Sequence, residues 1–133
     1  MPSMSNRPLV IAATMCCAAL AIACTEDPPT SPSPAVVVTF AVAGETFRVA
    51  LNSAAQIAAA RAAQNGGAAR IPVGRIASGT QVNTGWSWHL EDVIFAEVTI
   101  ELCDGRPSDV ERGGTDFGGG RFCPWAADLI RIE

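Results

Sequence analysis

Residues 35–64 read AVVVTFAVAGETFRVALNSAAQIAAARAAQ, and a change of period inside that stretch decides the fold class. From Ala35 to Ala43 the side chains alternate: Val36, Val38, Phe40 and Val42 fall on one side, Val37, Thr39 and Ala41 on the other. Alternation of this kind marks a strand with one buried face. Gly44 and Glu45 supply a two-residue turn, with glycine at the first position as a type II′ hairpin asks. Thr46 to Leu51 then resumes the period of two, Phe47, Val49 and Leu51 inward and Arg48 outward. At Ser53 the period changes. Ser53 and Gln56 have the spacing of a capping box, the alanines after them are the best helix formers, and Asn65-Gly66-Gly67 is a stop. A hairpin followed by a helix whose one large apolar residue is Ile57 predicts an α+β domain, with a small-faced helix packed closely on the sheet.

Downstream of the helix the sequence continues to read as β. Ile71 to Gly79, IPVGRIASG, predicts a short strand between turns, because Pro72 and Gly74 interrupt anything longer. Trp86 to Leu90 and Val93 to Cys103 predict two strands joined at Glu91-Asp92. The second sets Ile94, Ala96, Val98, Ile100 and Leu102 on one face, with Glu97 and Glu101 together on the other, outward face. A loop rich in Gly, Arg and acids follows from Asp104 to Gly120. The chain closes with FCPWAADLIRIE, a strand with Ile130 and Ile132 inward and Arg131 outward, opposite Glu97 or Glu101 if it lies beside the long strand. The expectation is one small domain over residues 35–133, mainly antiparallel sheet with one Ala-rich helix on it.

Upstream, residues 1–34 have a different character. A short polar start with Arg7 leads into the apolar run LVIAATMCCAALAIA, Leu9 to Ala23, then Cys24 and TEDPPTSPSP. The run is short for a membrane-spanning helix, which needs about 20 apolar residues, and suits a secretion signal. Ala21-Ile22-Ala23-Cys24 resembles a bacterial lipobox, which implies cleavage before Cys24 and acylation of its sulfur; Ala21 stands where leucine is commonest. An ordinary cleaved signal or an uncleaved anchor are the competing readings. Residues 1–23 are thus expected to be a lipoprotein signal peptide and residues 24–34 a Pro/Ser-rich tether, stiffened toward polyproline II. Cys16 and Cys17 would leave with the signal and Cys24 would carry lipid. Cys103 and Cys123 would remain as an even pair in an oxidising compartment, where a disulfide is the default. Closing a loop of about 20 residues is worth roughly 3 kcal/mol in the chain-entropy account. A structural zinc site lacks its usual donors, with one histidine and no second cysteine pair.

Once Arg7 leaves with the signal, eight arginines face thirteen acidic residues, a net charge of about −5. That balance argues against nucleic acid as a partner, since phosphate binding needs clustered positive charge. His89 is the one candidate general base, and in an extended strand it and Ser87 share the face opposite Trp86, Trp88 and Leu90. Cys103 with His89 would make a thiol and base, but a disulfide to Cys123 removes the thiolate. The ordinary reading of His89 is a hydrogen-bonded structural histidine. Trp86, Trp88 and Trp125 offer an aromatic platform for sugars or other rings, although tryptophans more often fill cores. Asp104, Asp109, Glu111 and Asp116 put hard oxygen donors on a Gly-rich loop, as calcium needs, yet without the spacing of an EF-hand. The bland alternative is a solvated turn with Arg106 and Arg112 as counterions. Gly118-Gly119-Gly120 lacks the Lys and the helix of a phosphate loop, and neither a Gly-x-Ser-x-Gly elbow nor a His-Glu-x-x-His helix is present.

Taken in order, FRVAL, the Ala-rich helix, IPVGRI, VNTGWSWHL, DVIFAEVTIELCDGRPSDVE and GRFCPWAA resemble a small domain named after the N-terminal part of the calmodulin-binding protein BP-seventy-four. The likeness covers roughly Val38 to Glu133. It implies an α+β fold and, for bacterial members, secreted or lipid-linked proteins, and it brings no catalytic residues. Calmodulin binding does not carry over: calmodulin targets are basic amphipathic helices with bulky anchors, and Ser53 to Gln64 has alanines there and Arg61 as its one charge. The sequence therefore points to a lipid-anchored domain of the bacterial cell envelope, facing the periplasm or exterior, acting as a non-enzymatic binding or interaction module without a cofactor. Its expected contact region is Trp86, Trp88 and His89 with Asp104, Arg106, Asp109 and Glu111, and its partner a protein or small molecule. A small hydrolase-like or carbohydrate-binding domain using GWSWHL is the alternative.

Overall fold

The structure, a computed structural model, describes residues 35–133. The expected signal peptide, Cys24 and the tether lie outside the described residues. Strand β1 (Val36–Val42) and β2 (Glu45–Leu51) form the expected hairpin, with Val38, Phe40, Val42, Phe47, Val49 and Leu51 buried. The turn lies one residue earlier than its glycine suggested. Ala43 and Gly44 are its two central residues, both at positive φ (50° and 82°), and Val42 pairs with Glu45. Positive φ at both positions is the type I′ geometry, whose twist suits flanking strands.

Helix α1 (Ala54–Gln64) starts at the predicted cap. The Gln56 amide N–H donates to Ser53 Oγ at 3.1 Å, and Gln56 Oε1 accepts from the backbone N–H of Ser53 (3.1 Å) and Asn52 (3.0 Å). The other end of that side chain, Nε2, donates to the Val93 carbonyl at 3.0 Å, so one glutamine both caps the helix and ties it to a strand. Ala60 and Ala63 are the residues α1 buries, which is why a helix nearly without bulky side chains lies close to its neighbours.

Strands β3 (Ile71–Ser78) and β4 (Trp88–Ala96) pair antiparallel, and short β5 (Arg121–Phe122) pairs with β3 on its other side. The last strand, β6 (Asp128–Ile132), pairs antiparallel with β1. The result is two three-stranded sheets, ordered β2-β1-β6 and β4-β3-β5, with α1 against β4 and β6, an edge strand of each. Their inner faces share one core, in which Phe47 from the first sheet meets Trp88 and Phe122 from the second at ring-centroid distances of 6.2 and 5.3 Å. Aromatic pairs at such distances add to the burial of their large areas. The α+β class holds, with two sheets where one was expected.

Several expectations for the second half are corrected. Trp86–Leu90 and Val93–Cys103 are not two strands: β4 runs through Glu91-Asp92 and ends at Ala96. Asp92 has φ 52°, and between the Val73–Ile94 and Arg75–Glu91 pairs two residues, Asp92 and Val93, oppose the single Gly74, a bulge. An extra residue flips every side chain beyond it, so Val93 is buried and Ile94 exposed. Gly74 sits against this bulge, where a Cβ would come within 3.0 Å of Leu90 Cβ and 3.1 Å of Val93 Cγ2. A second bulge in β6, where Thr39 pairs with Arg131 but Phe40 with Leu129, leaves Ile130 outside instead of inward. Arg131 faces neither Glu97 nor Glu101; it lies on the other sheet and donates to Glu133 at 3.1 Å. The loop after Asp104 holds a helix, α2 (Pro107–Gly113), started by a proline at its first turn as helices favour. Glu45 Oε2 accepts from the Ser108 amide at 2.9 Å and anchors α2 to β2.

Candidate functional site

His89 is 6 % exposed on β4. Its Nδ1 lies 2.7 Å from the Gly79 carbonyl, which can only accept, so Nδ1 carries the proton and donates. Its Nε2 lies 3.2 Å from Glu91 Oε1. The contact from His89 and the charge of Arg75, which also pairs with Glu91, hold the Glu91 carboxyl below its ordinary range. Both ring nitrogens therefore have fixed partners within the fold. Cys103 offers no nucleophile to this ring, because it is bonded to Cys123 across a Cα separation of 5.1 Å, with both residues buried. Gly118 packs on that bridge at φ 59°, where a Cβ would meet Cys103 Cα at 2.8 Å.

The tryptophans part company. Trp88 is in the core against Phe47 and Phe122, and its indole N–H meets no acceptor among the described residues, an uncommon state for a buried donor. Trp86 is half-buried, 6.3 Å from Trp88 by ring centroids, with its Nε1 donating to the Thr46 carbonyl at 2.8 Å. Trp125 is 44 % exposed and takes part in no ring pair among the described residues. The three do not form one platform.

Three acids of the 104–120 segment, Asp104, Asp109 and Glu111, hold backbone. Asp104 Oδ1 accepts from the Trp125 amide at 2.9 Å, and Glu111 Oε2 from the Ser87 amide at 3.0 Å. Asp109 Oδ2 accepts from the Arg106 amide at 2.8 Å, and that bond, with Arg112 pairing its other oxygen, draws the Asp109 carboxyl down. Among the described residues no three His, Cys, Asp or Glu side chains gather as metal ligands. Arg106 and Asp116 lie exposed at the surface.

Sequence reasoning passed over Asn83, which is fully buried. Its Oδ1 accepts from the Arg48 amide of β2 at 2.8 Å, and its Nδ2 donates to the Trp88 carbonyl of β4 at 2.9 Å. This one amide joins the two sheets through the 79–87 loop. An Asn in VNTGW looks like any turn residue, and no local signal marks it.

The exposed chemistry lies elsewhere. A cleft of about 690 Å³ opens between the end of α1, the residues after β4 and the approach to β6, lined by Arg70, Ile71, Glu97, Val98, Thr99, Trp125 and Leu129 among others. Trp125 Nε1 donates to Thr99 Oγ1 and joins two of its walls. Beside it Val98, Ile100 and Leu102, predicted inward, are 82, 68 and 72 % exposed. A smaller cleft of about 390 Å³ lies over His89, Glu91 and Asp92. No helix of the described residues is long and apolar enough to cross a membrane.

The family model described as the BP-seventy-four N-terminal domain matches residues 33–133, which takes in every element above. No curated protein and no solved structure matches the chain.

Proposed function

The chain belongs to the BP-seventy-four N-terminal domain family, and from that premise we propose that it is a non-enzymatic interaction module, held at the bacterial cell envelope by a lipid on Cys24. The carrying observation is the contrast between its reactive and its apolar groups. His89, Cys103, Asp104, Asp109 and Glu111 are each engaged within the fold. A row of aliphatic side chains and an exposed tryptophan face outward beside a cleft. Exposed apolar clusters on small domains commonly mark contact surfaces. The disulfide suits an exported protein, and the leader ending Ala21-Ile22-Ala23-Cys24 supports acylation. Two acyl signals hold a protein on a bilayer where one does so only marginally. The contact region in this reading shifts from Trp86, Trp88 and His89 to Trp125 and its neighbours.

The anchor is tested by expressing the chain and its Cys24→Ser variant with a radiolabelled fatty acid, then partitioning each between detergent and water. Label and detergent partition lost in the variant support the anchor; equal partition of the two chains excludes acylation at Cys24.

A further inference from the structure

Residues Glu97 to Leu102, EVTIEL, have the composition of a strand and no strand beside them. Val98, Thr99 and Ile100 are β-branched, and Ile100 holds extended dihedrals, φ −80° and ψ 145°. The ladder of β4 stops at Ala96 because its partner β3 begins at Ile71, and the residues before Ile71 belong to the exit from α1. Among the described residues, no backbone bond outside the regular elements uses Glu97 to Ile100, while Glu101 to Cys103 close into a short 3-10 turn whose Glu101 carbonyl accepts from the Asp104 amide at 3.1 Å. Glu97 to Ile100 thus combine free main-chain groups with the outward side chains of Val98 and Ile100, and Leu102 stands exposed on the turn that follows. The segment is also held at both ends, by the Ala96–Ile71 pair and by the buried disulfide at Cys103, with Thr99 fastened to Trp125. A docking edge held in this way loses little conformational freedom on binding.

Its charge selects the occupant. The ion pairs among the described residues join Arg48, Arg75, His89, Arg112 and Arg131 to Glu91, Asp92, Asp109 and Glu133. Glu97 and Glu101 on the segment and Asp128 on the cleft wall are in none of them, and they outnumber the one cation of that wall outside these pairs, Arg70. A second copy would bring the same acids and the same negative net charge to the edge, and an anionic bilayer would repel them. A cationic strand meets both requirements.

We propose that Glu97 to Ile100, flanked by the turn that carries Glu101 and Leu102 and by the cleft beside Trp125, is a docking edge for an extended segment of a partner protein in which bulky apolar residues alternate with Arg or Lys. Strand addition supplies the main-chain bonds, the partner's apolar side chains cover Val98, Ile100 and Leu102, and its cations oppose Glu97 and Glu101. The proposal rests on the interaction-module reading and names its partner class.

The test uses the full chain in nanodiscs of zwitterionic phosphatidylcholine and three dye-labelled synthetic peptides, alternating Leu-Arg, Leu-Glu and Leu-Ser, followed by fluorescence anisotropy. Empty nanodiscs serve as the control. The Leu-Arg peptide is expected to bind, to weaken about two- to fivefold with each of Glu97→Gln and Glu101→Gln, and to be lost in Val98→Asp and Ile100→Asp. These positions are exposed, so unchanged melting confirms that each variant folds. Leu-Glu or Leu-Ser binding as tightly overturns the charge assignment and leaves the module reading standing. Leu-Arg binding that survives both aspartates overturns the location. Sedimentation showing a dimer that the aspartates dissolve assigns the edge to a second copy and overturns the proposal, as does binding to empty nanodiscs alone. No peptide binding at all overturns the strand-addition partner, while the lipid labelling at Cys24 is read separately.

Discussion

Asn83→Ala is expected to be among the costliest single substitutions in this domain, although the residue touches no cleft. The side chain makes two bonds, accepting from the Arg48 amide at 2.8 Å and donating to the Trp88 carbonyl at 2.9 Å, from a position with no solvent exposure. Alanine leaves both backbone groups without their partner. An orphaned buried group costs about 1–3 kcal/mol. The Trp88 carbonyl is at the high end because its residue is in the core, and the Arg48 amide at the low end because its strand is only partly covered. The two together come to about 2–4 kcal/mol, a large part of the stability of a small domain. For a domain near 100 residues each kcal/mol moves Tm by about 4–8 °C, so the melting point should fall by about 8–32 °C. Circular dichroism melts of the wild-type chain, Asn83→Ala and Asn83→Asp give the answer. Aspartate keeps an acceptor for Arg48 but turns an oxygen toward the Trp88 carbonyl, so it should be no more stable than alanine. A drop of less than about 3 °C for Asn83→Ala would refute the account of this residue as the link between the sheets.

Three further outcomes are expected. Cys103→Ser with Cys123→Ser should cost roughly 3 kcal/mol by equilibrium denaturation, and a thiol titration of the oxidised, unfolded domain should find neither cysteine free; a reactive Cys103 would contradict the bridge. Ser53→Ala removes the cap that accepts from the Gln56 amide and should cost about 1 kcal/mol, whereas Gln56→Ala should cost more because it also releases Val93 from the helix; equal losses in a urea titration would argue against that second role. Glu91, Asp109 and Glu133 all have carboxyl groups held below their ordinary values of 4.5, 3.8 and 4.5, by His89 then Arg75, by the Arg106 amide then Arg112, and by Arg131 then Arg48. The unfolded chain takes up these protons first, so their contribution is complete above the ordinary values and fades as pH falls through the lowered ones. Asp109→Asn should therefore flatten the acid side of a Tm-against-pH curve; an unchanged slope would remove that bond from the account.

What can be read from the residues alone is local. The β1–β2 alternation, the Ser53–Gln56 cap and the stop at Asn65-Gly66-Gly67 are each written within a few positions, because side-chain period and cap geometry act over one or two turns of chain. The pairing of Cys103 with Cys123 follows from parity once Cys16, Cys17 and Cys24 are assigned to the expected signal and lipid site. The candidate site is legible only as chemistry: Trp, His, Asp and Glu stand out as aromatic or polar groups, but their partners are not visible. Gly79, Ser87 and Thr46, which hold His89, Glu111 and Trp86, lie ten, twenty-four and forty residues away from them.

Tertiary structure decided the phase and the partners. Alternation from Val93 to Leu102 is a true period, but a period does not say which face is inward; the bulge at Asp92, fitted against Gly74, inverted it. Nor does it say whether a neighbouring strand exists. Because β3 begins at Ile71, EVTIEL is left outside the ladder, and Val98, Ile100 and Leu102 stand exposed. Arg131 and Ile130 were placed by the pairing of β6 with β1 for the same reason. Local sequence determines which conformations a segment favours, while contacts between segments far apart in the chain determine which of its faces is buried and which is left for a partner.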